Sequence, residues 1–68
     1  MKVNVKITRG ESSNKSIMIK DGSTYNDVLS SFNINPETVI IIVNNRPVPV
    51  NEKIFSDHME ILMITSRG

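Results

Sequence analysis

The chain has 68 residues, a formal net charge of +1 and no cysteine. A chain this short buries roughly 60% of its unfolded surface, which leaves room for one small core but not for an enclosed active site. The length therefore disfavours a self-contained enzyme, and the lack of cysteine excludes a disulfide framework and a thiolate metal site. Because the basic residues are spread along the chain, nucleic acid and membrane surfaces are disfavoured as the main partner.

Two strands are predicted at the N-terminal end of the chain. Residues 1–8 alternate apolar and polar side chains, which is the period of a half-buried strand. The polar stretch from Arg9 to Asn14 predicts a hairpin connection. Lys15 to Lys20 then resumes as a strand, and the alternation turns Met18 away from the predicted core.

The period next changes to that of a helix, because four apolar residues fall at positions i, i+3, i+4 and i+7: Tyr25, Val28, Leu29 and Phe32. Thr24 can accept a hydrogen bond from the free amides of the first turn, and Asp27 suits the positive end of a helix. Asn33 can take the left-handed conformation that ends a helix. The predicted helix therefore extends from about Thr24 to Phe32.

Two further strands and a short edge strand are predicted in the C-terminal half. Val39 to Val43 is a run of five β-branched residues, and Asn44-Asn45 after it favours a tight turn. Two prolines limit Arg46–Val50 to a short edge strand. Asn51 to His58 is predicted as a loop, and Met59 to Thr65 as the last strand.

This order of elements predicts an α+β fold, in which one helix crosses one face of a mixed sheet of four to five strands. We expect a single domain over residues 1–68, with a flexible C-terminal tail at about residues 65–68. The inward positions of the strands should pack against the helix: Val3, Val5, Ile7, Ile17, Ile19, Val39, Ile41, Val43, Ile61 and Met63.

Three stretches carry a family resemblance: Thr24–Leu29, Pro36–Asn45 and Met59–Gly68. Together with the element order, they resemble the β-grasp, ubiquitin-like sulfur carriers of thiamine and molybdopterin synthesis and the small archaeal modifier proteins. The resemblance implies a β-grasp fold with the last strand between the first and the third.

It also implies a function for the tail of Ser66, Arg67 and Gly68. A separate ubiquitin-activating-type enzyme would use Mg-ATP to adenylate the Gly68 carboxylate. Sulfur would then replace AMP to give a thiocarboxylate. This group would serve a sulfur-accepting synthase or thiolase in thiamine synthesis, molybdopterin synthesis or tRNA thiolation. Alternatively, a lysine of a target protein would capture the acyl group. The chain itself would be a monomeric carrier with no bound cofactor. Because no apolar run approaches about 20 residues and the N-terminus is not signal-like, we expect it in the cytoplasm.

Arg67 departs from this family, which normally has a glycine at the penultimate position. The alternative function is therefore a β-grasp interaction module that has lost the terminal chemistry. Two alignments of the tail are also open. In the first, the loop before Met59 is one residue shorter than in the family, and Gly68 matches the family's final glycine. In the second, the loop has no deletion, and Gly68 falls two residues short of the usual end. The first alignment is favoured because it directs Met59, Ile61 and Met63 inward and Glu60 to solvent.

The alternation also predicts a docking patch on the sheet face away from the helix. Its members are Ile40, Ile42, Leu62 and Ile64, with Met18 as a further candidate, and Lys2, Lys6 and Glu60 as a polar rim. Scattered exposed aliphatics and a homodimer contact are the alternative interpretations.

Ser56, Asp57 and His58 are consecutive, and consecutive residues cannot generally form a catalytic triad. We therefore expect His58 to be an exposed loop residue, and no spacing of acidic residues or histidine predicts a metal site.

Overall fold

A computed structural model describes residues 1–64 of the chain. Its elements follow the predicted order, with one short 3-10 helix added: β1 (Lys2–Arg9), β2 (Glu11–Met18), α1 (Tyr25–Ser31), a 3-10 helix (Pro36–Thr38), β3 (Val39–Val43), β4 (Arg46–Val48) and β5 (His58–Met63). No helix among these residues is long and apolar enough to cross a membrane.

The strands form one mixed five-stranded sheet in the order β2-β1-β5-β3-β4. β5 is parallel to β1 and antiparallel to β3, whereas both hairpins, β1–β2 and β3–β4, are antiparallel. The last strand thus lies between the first and the third, as the β-grasp resemblance implies.

The first hairpin differs from the prediction, which placed a loop from Arg9 to Asn14. β2 already begins at Glu11, and Arg9 pairs directly with Glu11 across the single residue Gly10, whose φ is 88°. The predicted start at Lys15 was wrong because β2 is an edge strand whose first six residues are all exposed. Backbone pairing to β1 holds such a strand without an apolar face, so hydrophobic periodicity cannot reveal it.

The helix agrees with its predicted caps. Thr24 is the N-cap; its Oγ1 accepts from the Asp27 N–H at 3.3 Å, and Asp27 Oδ2 accepts from the Thr24 N–H at 2.9 Å. Phe32 caps the C-terminal end, and Asn33 follows with φ of 58°, the left-handed conformation expected there. Local sequence therefore marks both ends of α1, and distant backbone also holds the first turn: the Tyr25 N–H donates to the Glu52 carbonyl at 3.2 Å and the Asn26 N–H to the Val50 carbonyl at 2.7 Å.

The core lies between α1 and one face of the sheet. Its buried members come from α1 and from the inward positions of β1, β3 and β5: Tyr25, Val28, Leu29, Val3, Val5, Ile7, Val39, Ile41, Val43, Met59 and Ile61. Ile17, Ile19 and Met63, which were predicted in the core, are only partly buried because they lie at its margins. The opposite face of the sheet, which α1 does not cover, is called the open face below.

The C-terminal half departs from the prediction by one or two residues. β4 ends at Val48 rather than Val50, with Pro49 directly after it. β5 begins at His58, one residue before the predicted Met59, because Asn4 and His58 pair across β1 and β5. The predicted end of this strand at Thr65 lies outside the described residues.

Candidate interaction surface

Four aliphatic side chains come together on the open face, and they are called the apolar patch: Ile40, Ile42, Leu62 and Ile64. Ile40 pairs with Leu62 across β3 and β5, which makes these two side chains direct neighbours. Ile64 is 51% exposed and Ile40 36%, whereas Ile42 and Leu62 are partly buried. The four residues thus lie beside one another on a partly exposed apolar surface at the middle of the sheet.

Met18 does not belong to this patch. It lies on the open face and is 74% exposed, but it pairs with Lys2 at the start of β1, whereas Leu62 pairs with Thr8 near its end. Six residues of strand, about 20 Å at 3.3 Å per residue, separate the two positions. The same geometry removes Lys2 from the predicted polar rim.

The predicted rim residues Lys6 and Glu60 do border the patch. They pair with one another across β1 and β5, and Glu60 also pairs with Ile42 across β5 and β3. The Thr8 hydroxyl donates to Glu60 Oε2 at 3.2 Å. This hydrogen bond holds the Glu60 carboxylate beside Thr8 of β1.

A shallow depression of about 330 Å³ lies beside the patch and is called the amide pocket. It adjoins Ile42, and asparagines from three segments line it together with a lysine and the histidine: Asn4, Asn14, Asn44, Asn45, Lys6 and His58. Sequence reasoning did not find this pocket. The only available signal was the polar half of the alternation in β1, which places Asn4 and Lys6 on the open face.

His58 is held at the edge of the amide pocket. Its Nδ1 lies 3.1 Å from both Ser56 Oγ and Asp57 Oδ1, and its Nε2 lies 3.1 Å from Asn44 Oδ1. An amide oxygen only accepts, so His58 Nε2 donates to Asn44 Oδ1.

This is not the geometry of a catalytic triad, in which the nucleophile and the carboxylate contact opposite ring nitrogens. His58 is exposed, as expected, but it begins β5 rather than lying in a loop. Within residues 1–64, no group of three or more histidine or acidic side chains is placed to hold a metal ion.

The predicted tail residues Ser66, Arg67 and Gly68 lie outside the described residues. Ile64 is the last described residue, and its N–H donates to the Thr38 carbonyl at 2.9 Å. The apolar patch therefore reaches the point from which the tail departs. In the described part of this strand, Met59 and Ile61 are buried as the first alignment requires, Met63 is only partly buried, and Glu60 lies on the other face, where it is also partly buried.

Sheet order, a single crossing helix and an exposed aliphatic face define a ubiquitin-like β-grasp protein. A solved ubiquitin-like protein of the hyperthermophilic archaeon Caldiarchaeum subterraneum superimposes with a TM-score of 0.59 over 100% of this chain and 99% of that one, at 17% identity. This likeness supports the fold.

The family follows from sequence. A model of the family described as small archaeal modifier protein 2 matches residues 1–65, and the chain therefore belongs to this family of small ubiquitin-like modifiers. Small archaeal modifier protein 2 of Haloferax volcanii is 28% identical over 68 residues, which cover 100% of both chains. A protein of Archaeoglobus fulgidus described as uncharacterized is 35% identical over 48 residues, or 71% of this chain and 72% of that one.

Proposed function

We propose that this chain is a protein modifier whose Gly68 carboxylate is adenylated by a separate ubiquitin-activating-type enzyme with Mg-ATP. The adenylated terminus is then converted to a thiocarboxylate for sulfur transfer or joined to a lysine of a target protein. The chain acts as a co-substrate in the cytoplasm, and the enzyme holds the nucleotide. Membership of the small archaeal modifier family supports this proposal.

The observation that carries the proposal is the continuity of the apolar patch with the tail. Ile64, a member of the patch, is only four residues before Gly68. Four residues of extended chain span at most about 14 Å. An enzyme that binds the patch therefore has the terminal carboxylate within that distance, and the same docking step positions the reacting group.

The chemistry needs little from the chain itself. A terminal carboxyl group has an ordinary pKa of about 3.5, so it is ionised at neutral pH. One carboxylate oxygen attacks the α-phosphorus of ATP, the bond from that phosphorus to the bridging oxygen breaks, and pyrophosphate leaves. A sulfur or amine nucleophile then attacks the acyl carbon and AMP leaves. Glycine suits the terminus because it has no Cβ that would collide with the walls of a narrow channel leading to the active site of the activating enzyme.

Arg67 favours a second candidate function, an interaction module that is not activated. Its long charged side chain stands where the family resemblance implies glycine. In that case the patch binds a partner without terminal chemistry. The two functions differ in one observable property, which is whether the chain supports adenylation.

ATP–pyrophosphate exchange tests the proposal. The activating enzyme of the same organism is assayed with the full chain and with a chain that lacks Gly68. We expect exchange that depends on the full chain and is absent for the shortened one. No exchange with the full chain, and none with Arg67→Gly, contradicts the proposed function.

A further inference from the structure

Two asparagines of the amide pocket, Asn4 and Asn44, already use their amide oxygens within the protein. Asn4 Oδ1 accepts from the Ser16 hydroxyl at 2.9 Å, and Asn44 Oδ1 accepts from His58 Nε2 at 3.1 Å. Each amide therefore directs its NH₂ group elsewhere, and each NH₂ group is a donor of two hydrogen bonds. A ligand that contacts these two NH₂ groups must supply acceptors.

The pocket also contains a cation without a carboxylate beside it in the described part of the chain. Lys6 lines it, and within residues 1–64 no carboxylate oxygen lies within 4.0 Å of the Lys6 ammonium. Glu60 also lines the pocket and keeps its negative charge, but its Oε2 accepts from Thr8 and neither of its oxygens lies within 4.0 Å of the Lys6 ammonium. An ammonium group and amide donors together match a carboxylate, which has acceptor sites on both oxygens.

The position of the pocket indicates where such a carboxylate comes from. Ile42 belongs to the apolar patch and also lines the pocket. A small free carboxylate makes few contacts in a shallow depression and loses translational entropy when it binds, so its affinity is low. A carboxylate on a protein docked over Ile42 is delivered to the pocket by the docking itself, and its ion pair lies at the rim of the apolar contact.

We propose that the amide pocket binds an aspartate or glutamate side chain of the enzyme that docks on the apolar patch, with Lys6 as the ion-pair partner and Asn4 and Asn44 as hydrogen-bond donors. This inference rests on the proposed function and adds the polar half of the docking surface. Charged rims of this kind select the partner and its orientation more than they add affinity.

The test is the KM of the chain in ATP–pyrophosphate exchange, measured for two variants and their matched controls. Lys6→Gln removes the ammonium, and Lys15→Gln makes the same change on an exposed part of β2 outside the pocket. Asn44→Asp replaces an amide donor by a negative charge where φ is 54°. Asn33→Asp makes that change at φ of 58° beyond the end of α1.

We expect Lys6→Gln and Asn44→Asp each to raise KM about fivefold or more with kcat unchanged, while both controls stay within about twofold of the wild type. The effect of Lys6→Gln should shrink at 1 M salt, where the Debye length is about 3 Å. Equal KM values for variants and controls overturn the pocket proposal and leave the proposed function standing. Absence of exchange with the wild-type chain overturns both.

Discussion

Tyr25 offers the sharpest test of how the core is built. The side chain is 0% exposed at the first residue of α1, and its ring meets the Phe55 ring edge-on at a centroid distance of 6.1 Å. Its buried hydroxyl has no close hydrogen-bond partner among the described residues. A buried polar group without a partner costs about 1–3 kcal/mol, because it has lost its hydrogen bonds to water.

Tyr25→Phe removes that hydroxyl and keeps the ring, so the edge-on contact with Phe55 and most of the packing remain. We expect the free energy of unfolding at pH 7 to rise by about 1 kcal/mol, the lower end of the desolvation penalty. For a domain of this size, 1 kcal/mol corresponds to about 4–8 °C in Tm. Urea unfolding followed by circular dichroism measures the difference.

The same burial affects ionisation. Burial raises the pKa of Tyr25 above its ordinary value of 10.0, a weak backbone hydrogen bond from Phe55 opposes the rise, and the negative charge of Glu52 adds to it. The neutral phenol is thus favoured in the folded state, so this contribution to stability is complete below the unfolded pKa and is lost as the pH rises through the folded pKa. The advantage of Tyr25→Phe should therefore widen above about pH 10.

The assay is direct because Tyr25 is the single tyrosine of the chain. The phenolate absorbance of the folded protein reports this one group, with the urea-unfolded chain as its reference. A folded midpoint at or below that of the unfolded chain contradicts the assigned desolvation. A Tyr25→Phe chain that is less stable at pH 7 shows instead that the hydroxyl has a partner.

Three further outcomes follow from local geometry. Gly10→Ala should lower the free energy of unfolding by about 1 kcal/mol, because φ at Gly10 is 88°, a left-handed conformation that alanine adopts only at a cost. The new Cβ would meet no heavy atom within 4 Å, so the cost comes from the backbone and not from a clash. Gly10→Asn should cost less, and an unchanged urea midpoint for Gly10→Ala contradicts the argument. Thr24→Ala should cost about 1 kcal/mol through loss of the capping box, and equal melting temperatures refute it. The double variant Ile42→Glu with Leu62→Glu should keep its circular dichroism spectrum and raise KM in ATP–pyrophosphate exchange at least tenfold; an intact fold with unchanged KM removes the patch from the docking surface.

Sequence predicted those features that depend on neighbouring residues. Thr24 and Asp27 are three residues apart, so both members of the capping box could be read directly. The strict alternation of β1 and the five β-branched residues of β3 separated inward from outward side chains. Once β5 was expected between them, Leu62 and Ile40 could be assigned to the same face.

The remaining features depend on how distant segments pair. β2 has no apolar alternation from Glu11 to Lys15, so only its pairing with β1 reveals its start. Met18 shares a face with the patch, but its distance from Leu62 depends on two strand registers. The amide pocket needs Asn4, Asn14 and Asn44 from three different segments, and none of these residues is unusual in its local sequence.

The central claim is that the Gly68 carboxylate is the reacting group, and intact mass spectrometry tests it most directly. The full chain is incubated with Mg-ATP and the activating enzyme of the same organism, beside a chain without Gly68 and an Arg67→Gly chain. We predict a mass increase of one AMP, or the replacement of one oxygen by sulfur when a sulfur donor is present, on the full chain and not on the chain without Gly68. A product that forms only with Arg67→Gly shows that Arg67 blocks activation and favours the interaction module. No product on the full chain and none on the Arg67→Gly chain contradicts the account.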